Sequence, residues 1–138
     1  MAGHHSEVFL HFVWTTHGRH PLITPTIERR LHRYISGICS KLNCQVLAIN
    51  GMPDHVHLAI TFPSTVSIED AVHAIKGGSS TFARETLVRG EFFGWRDGYG
   101  VFSFSRAESV RVVGYIRDQK KHHADGTLWA ELEKLDPD

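Results

Sequence analysis

The chain has no long apolar run, almost no cysteine and no surplus of charge of either sign. No stretch approaches the roughly 18 apolar residues that a bilayer-spanning helix needs, which excludes that class. The first residues lack the charged segment, apolar core and small-residue cleavage site of a secretory signal. A cytoplasmic protein with no membrane partner is therefore expected. The two cysteines, Cys39 and Cys44, stand five apart where a helix runs into a strand, a spacing of neither a redox pair nor a zinc knuckle. They are expected to be buried free thiols.

The formal net charge is +0, which weighs against a protein that coats DNA electrostatically, because phosphate binding usually shows as a basic excess. Its distribution softens that objection. Residues 1–123 hold 14 Lys/Arg against 10 Asp/Glu, whereas the last fifteen set Lys134 against Asp125, Glu131, Glu133, Asp136 and Asp138. With 138 residues, 41% of them hydrophobic, the chain suits one domain over residues 1–138, with an acidic tail from about residue 124.

Histidine is what the sequence has in excess, eleven in all, and the elements show where the histidines fall. Val8 to Thr16 is β-branched and aromatic without strict alternation, as in a strand buried on both faces. Thr24-Pro25 starts a helix in which Ile27, Leu31, Tyr34, Ile35, Ile38 and Leu42 keep helical spacing to about Leu42. Cys44 to Asn50 reads as a strand, and the turn formers Gly51 to Asp54 close a hairpin into the next. There Val56, Leu58, Ile60 and Phe62 alternate with His55, His57, Ala59 and Thr61, so both histidines share the face away from the core.

Ser67 caps a second helix toward Phe82, which Gly77-Gly78 is expected to bend or loosen. A glycine- and aromatic-rich loop, Glu91 to Gly100, leads into a last strand from Tyr99 to Phe104. Ser105 and Glu108 form a capping box for a final helix to about His123. The order βαββαβ plus a helix implies an α+β fold: a ferredoxin-like antiparallel sheet, two helices on one face and the other face open.

Histidines at i and i+2 on one strand face have Cα atoms about 6 to 7 Å apart, close enough to converge on one cation. For an isolated pair, ordinary surface histidines on an exposed sheet face are the commoner reading, and the last helix shifts the balance. On the final helix, Tyr115, Gln119 and His122 share a face with Arg111, beside the apolar Val112, Val113 and Ile116. Tyrosine, with a pKa of about 10, attacks phosphate only with help from a cation. Gln119, one turn beyond Tyr115, offers an oxygen ligand, and mixed nitrogen and oxygen ligands with open positions suit Mg2+ or Mn2+. A packed aromatic at Tyr115 and a solvated amide at Gln119 are the alternatives.

Pro53-Asp54-His55-Val56-His57-Leu58 resembles the HUH motif, histidine–hydrophobic–histidine, of single-tyrosine transposases of the insertion-sequence 200/605 type. His11-Phe12-Val13-Trp14-Thr15-Thr16 resembles that family's first strand. Trp95 with Gly98 to Ser105 resembles its last, and Tyr115 to His123 its catalytic helix. Arg96 departs from the glutamine that often follows the tryptophan, and Gly77-Gly78 varies the second helix. The resemblance implies Tyr115 as nucleophile and His55, His57 and Gln119 as ligands of Mg2+ or Mn2+. It implies cleavage and rejoining of single-stranded DNA beside end hairpins through a 5′-phosphotyrosine. It further implies a homodimer with active sites shared between subunits. Arg111, Arg117 and Lys120 are candidate phosphate contacts, and a solvated helix face is their alternative. His122 and His123 are left as DNA contacts or helix-end caps. Two other functions stay open: a non-catalytic relative that binds hairpins, and a phosphoesterase in which water replaces Tyr115.

Overall fold

The computed structural model describes residues 5–128, and the acidic residues 129–138 lie outside them. The elements are β1 (Phe9–Thr15), α1 (Pro25–Lys41), β2 (Val46–Met52), β3 (His55–Thr61), α2 (Ile68–Phe82), β4 (Gly100–Phe104), α3 (Ser109–Arg117) and α4 (Gln119–Asp125). The four strands form one antiparallel sheet in the order β2-β3-β1-β4, the ferredoxin-like arrangement expected. Among the described residues no helix is long and apolar enough to cross a membrane.

The sheet is buried on both faces. Leu10, Phe12 and Trp14 of β1 and Val56, Leu58 and Ile60 of β3 point into a core closed by Ile27, Leu31 and Ile35 of α1 and Ala71, Val72 and Ile75 of α2. This explains why β1 shows no alternation: six of its seven residues are buried. The opposite face, expected to be open, instead carries a second, smaller core. Ala48, Ala59 and Phe104 of the sheet pack against Val112 and Ile116 of α3. The apolar stripe of α3 needs a surface to cover, and the sheet face beyond the histidines supplies it.

Two local expectations change. The glycine pair leaves α2 unbroken from Ile68 to Phe82. A Cβ on Gly78 would come within 2.9 Å of Ile38 Cδ1, so glycine there admits α1 rather than loosening α2. The final helix is not continuous to His123. Its capping box forms as expected, with Glu108 N–H donating to Ser105 Oγ and Ser105 N–H to Glu108 Oε1. The helix then breaks at Asp118, whose ψ of 21° leaves the α-helical range.

Cys39 and Cys44 are both buried and free. Burial pushes the Cys39 thiol up to about 12 and raises Cys44 as well, as befits inert structural thiols. His32 on α1 moves the other way. Burial foremost, then the nearby Lys120 ammonium, pull its pKa down to about 4, against the opposing pull of Glu28. Its Nε2 is buried with no hydrogen-bond partner. The unfolded chain binds a proton at His32 below about pH 6.5 and the folded chain only near pH 4, so this residue withdraws stability as pH falls through that window. We expect His32→Leu to shrink the stability loss between pH 7 and pH 4.5 by about 2 kcal/mol. Urea unfolding of both proteins at the two pH values checks this.

Gly51 ends the β2–β3 hairpin opposite Val56. A Cβ there would collide with the His55 carbonyl oxygen and lie 3.0 Å from Val56 Cα. Backbone cannot yield as a side chain does, so Gly51→Ala should destabilise by about 2–3 kcal/mol. Because the strand it presses against, β3, carries His55 and His57, the lost urea midpoint should come with altered histidine resonances.

Candidate active site

β3 places His55 and His57 on the α3 side of the sheet, and neither is an exposed surface histidine: His55 is 5% exposed and His57 is 0%. Their rings sit edge to face with centroids 5.1 Å apart. Each has its Nδ1 engaged by the protein. His55 Nδ1–H donates to Asp54 Oδ1 at 2.7 Å, and His57 Nδ1 shares a hydrogen bond of 2.8 Å with His11 Nε2 on β1. A histidine whose Nδ1 is held this way presents Nε2 as its ligating nitrogen.

The helices bring the remaining residues to this pair. Tyr115, on α3, is 1% exposed, and its ring centroid lies 6.1 Å from that of His57. Gln119, the first residue of α4, is completely buried. The structure therefore gathers Tyr115, His55 and His57 within one chain, and Gln119 joins them through His123. It also adds two residues that sequence reasoning held back. His122 stacks on Tyr115 at 4.7 Å, and His123 lies 4.9 Å from His55 while its Nε2–H donates to Gln119 Oε1 at 3.1 Å. The helical spacing from Tyr115 signalled His122, but the break at Asp118 decides where both rings point.

That break is held by Asn50 at the end of β2. Its Nδ2–H donates to the Arg117 carbonyl at 2.9 Å, where α3 stops. Lys120, expected as a phosphate contact, reaches back into the protein, donating to Glu28 Oε2 at 2.8 Å and Asn50 Oδ1 at 2.9 Å. It thus ties α4 to α1 and β2. Arg111 and Arg117 are exposed on α3, on the same helix as Tyr115 and outside the buried cluster. On the far side of the sheet, Trp95 Nε1–H donates to Ser79 Oγ at 3.0 Å and packs edge-on against Trp14, so its place is structural.

Among the described residues, no three His, Cys, Asp or Glu side chains gather so as to hold a metal ion. The set here is different: two imidazoles with held Nδ1 atoms and one buried amide. Such a nitrogen and oxygen set suits a divalent cation that keeps open positions.

Residues 4–119 match the model of a family described as "Transposase IS200 like". The chain is 25% identical over 122 residues to the ISDra2 transposase TnpA of Deinococcus radiodurans, covering 85% of this chain and 87% of that protein. A crystal structure of a protein from Deinococcus radiodurans R1, described as a transposase, superposes with a TM-score of 0.67 at 26% identity, covering 86% of this chain and 95% of that one. The REP-associated tyrosine transposase bound to a REP hairpin has the same fold, with a TM-score of 0.63 at 15% identity, over 93% of this chain and 76% of that one. With a sheet, a buried histidine pair and a tyrosine helix in this arrangement, and a family match over most of its length, the chain belongs to the IS200-like transposases.

Proposed function

We propose that this transposase cleaves and rejoins single-stranded DNA through a covalent link to Tyr115. The observation that carries the reading is the burial of Tyr115 beside His57, with the buried Gln119 joined to His55 through His123, within one chain. The Tyr115 oxygen forms a bond to a DNA phosphorus and the bond from that phosphorus to the 3′-oxygen breaks. The tyrosine proton ends, in the net balance, on the departing 3′-hydroxyl. One phosphodiester is exchanged for one phosphotyrosyl ester, so the bond energy is kept and attack by a 3′-hydroxyl reverses the step without ATP.

His55, His57 and Gln119 would hold Mg2+ or Mn2+. When bound, the cation withdraws charge from the phosphoryl oxygens and lowers the barrier to attack by a weak nucleophile. Asp54 orients His55, and the buried walls of the site exclude water, which disfavours hydrolysis of the ester. Arg111 and Arg117 are proposed phosphate contacts beside the tyrosine helix. Lys120 joins them only where its bond to Glu28 gives way to phosphate. The hairpin-bound fold relative supports DNA with an end hairpin as the substrate.

The test is incubation with labelled single-stranded DNA carrying the hairpin of the element's own end, with and without Mg2+ or Mn2+. A metal-dependent adduct that survives denaturation is expected. Binding without an adduct would favour a non-catalytic hairpin binder, and cleavage without an adduct a water-using phosphoesterase. We also propose a homodimer with shared sites, in which the Tyr115 helix of one subunit takes, on its partner's sheet, the place that it holds here beside its own His57. Mixing Tyr115→Phe with His57→Ala should then restore activity, and a silent mixture would place each site within one chain.

A further inference from the structure

We infer that His11 is a positioning residue for His57, holding it in the tautomer that can bind a cation. This rests on the proposal above that His57 is a metal ligand. His11 and His57 are both 0% exposed and their rings stack at 5.1 Å with a 28° angle between planes. The bond of 2.8 Å joins His11 Nε2 to His57 Nδ1.

The strand register produces this contact. β1 and β3 are antiparallel, with His11 opposite Ala59 and Val13 opposite His57. His11 is therefore the diagonal neighbour of His57 on the same face, within reach of a long side chain. The small Ala59 between them leaves room for the ring to lean across. Phe102 of β4 closes the other side, 5.9 Å from His11.

Two neutral imidazoles can share one proton in either sense, with unequal consequences. If His57 Nδ1–H donates to His11 Nε2, the lone pair of His57 lies on Nε2 and can ligate. If His11 Nε2–H donates instead, His57 carries its proton on Nε2 and cannot ligate. His11 must therefore act as the acceptor. Asp54 fills the same role for His55, where a carboxylate can only accept. The site thus has one ligand oriented by an acid and one by a neutral ring.

The experiment uses the full-length protein, Mn2+ alone as probe, and the electron paramagnetic signal of free Mn2+ as readout. His11→Phe keeps the ring shape and removes the acceptor, and should weaken Mn2+ binding by about 10- to 100-fold. His11→Gln restores an acceptor and should stay within about three-fold of wild type. Near-ultraviolet circular dichroism checks that both variants keep the native core. Equal binding by His11→Phe, or an equal loss in both variants, would overturn the positioning role. Independently of metal, imidazole nitrogen resonances of the wild type should place the proton of His57 on Nδ1, and a proton on Nε2 would overturn the inference. A wild type that takes up no Mn2+ would remove the cation reading itself, and the positioning role with it.

Discussion

Tyr115→Phe should lower DNA cleavage by at least a thousand-fold and abolish the denaturation-resistant adduct, while leaving the protein folded. The magnitude follows from the role: removing a nucleophile removes the covalent route, and any residue of rate comes from water finding the same phosphate. The substitution deletes one oxygen from a side chain that is 1% exposed and keeps the ring stacked on His122. Its cost in stability should be about 1 kcal/mol. A gel assay of cleavage, beside a urea titration, separates the two effects. Cleavage at wild-type rate by a well-folded Tyr115→Phe protein would shift the chemistry to a water nucleophile.

His57→Ala carries the second large effect. A cation polarising a phosphoryl group is worth several kcal/mol, and each 1.36 kcal/mol is about ten-fold in rate. Losing a ligand should therefore cost about a thousand-fold in cleavage and remove measurable Mn2+ binding. His57→Ala also takes away the partner of His11, so a stability loss is expected alongside. Raising Mn2+ concentration distinguishes the two effects: partial recovery of cleavage points to weakened binding, and none points to a disrupted sheet. Hairpin binding by the folded variant should persist, because phosphate contacts away from the metal carry most of that affinity.

The order of elements was legible because each has a strong local signal: the Thr24-Pro25 start, the Ser105–Glu108 capping box and the alternation around His55 and His57. The face of the histidines was legible for the same reason. What covers that face was not. The apolar stripe of Val112 and Ile116 shows that α3 must pack somewhere, but its partner, the surface of Ala48, Ala59 and Phe104, is set by tertiary topology. The break at Asp118 was hidden because periodicity runs through it, and the cause, Asn50 Nδ2–H donating to the Arg117 carbonyl, lies 67 residues away in sequence. His11 was legible only as one letter in a buried strand. Its relation to His57 exists only once β1 and β3 are in register.

Tertiary packing likewise decides the place of Lys120. On an isolated helix it is a solvated cation available to phosphate, and only the packing of α4 brings it to Glu28 and Asn50. Arg111 and Arg117 keep the exposed positions that the helix wheel gives them.

The central claim is a phosphotyrosine at one residue, and mass spectrometry of the trapped adduct reads it directly. After nuclease trimming and tryptic digestion, the peptide spanning residues 112–117, which contains Tyr115 as its only tyrosine, should carry the mass of the attached nucleotide. A nucleotide found on another residue, or DNA cleaved in full with residues 112–117 unmodified, would contradict it.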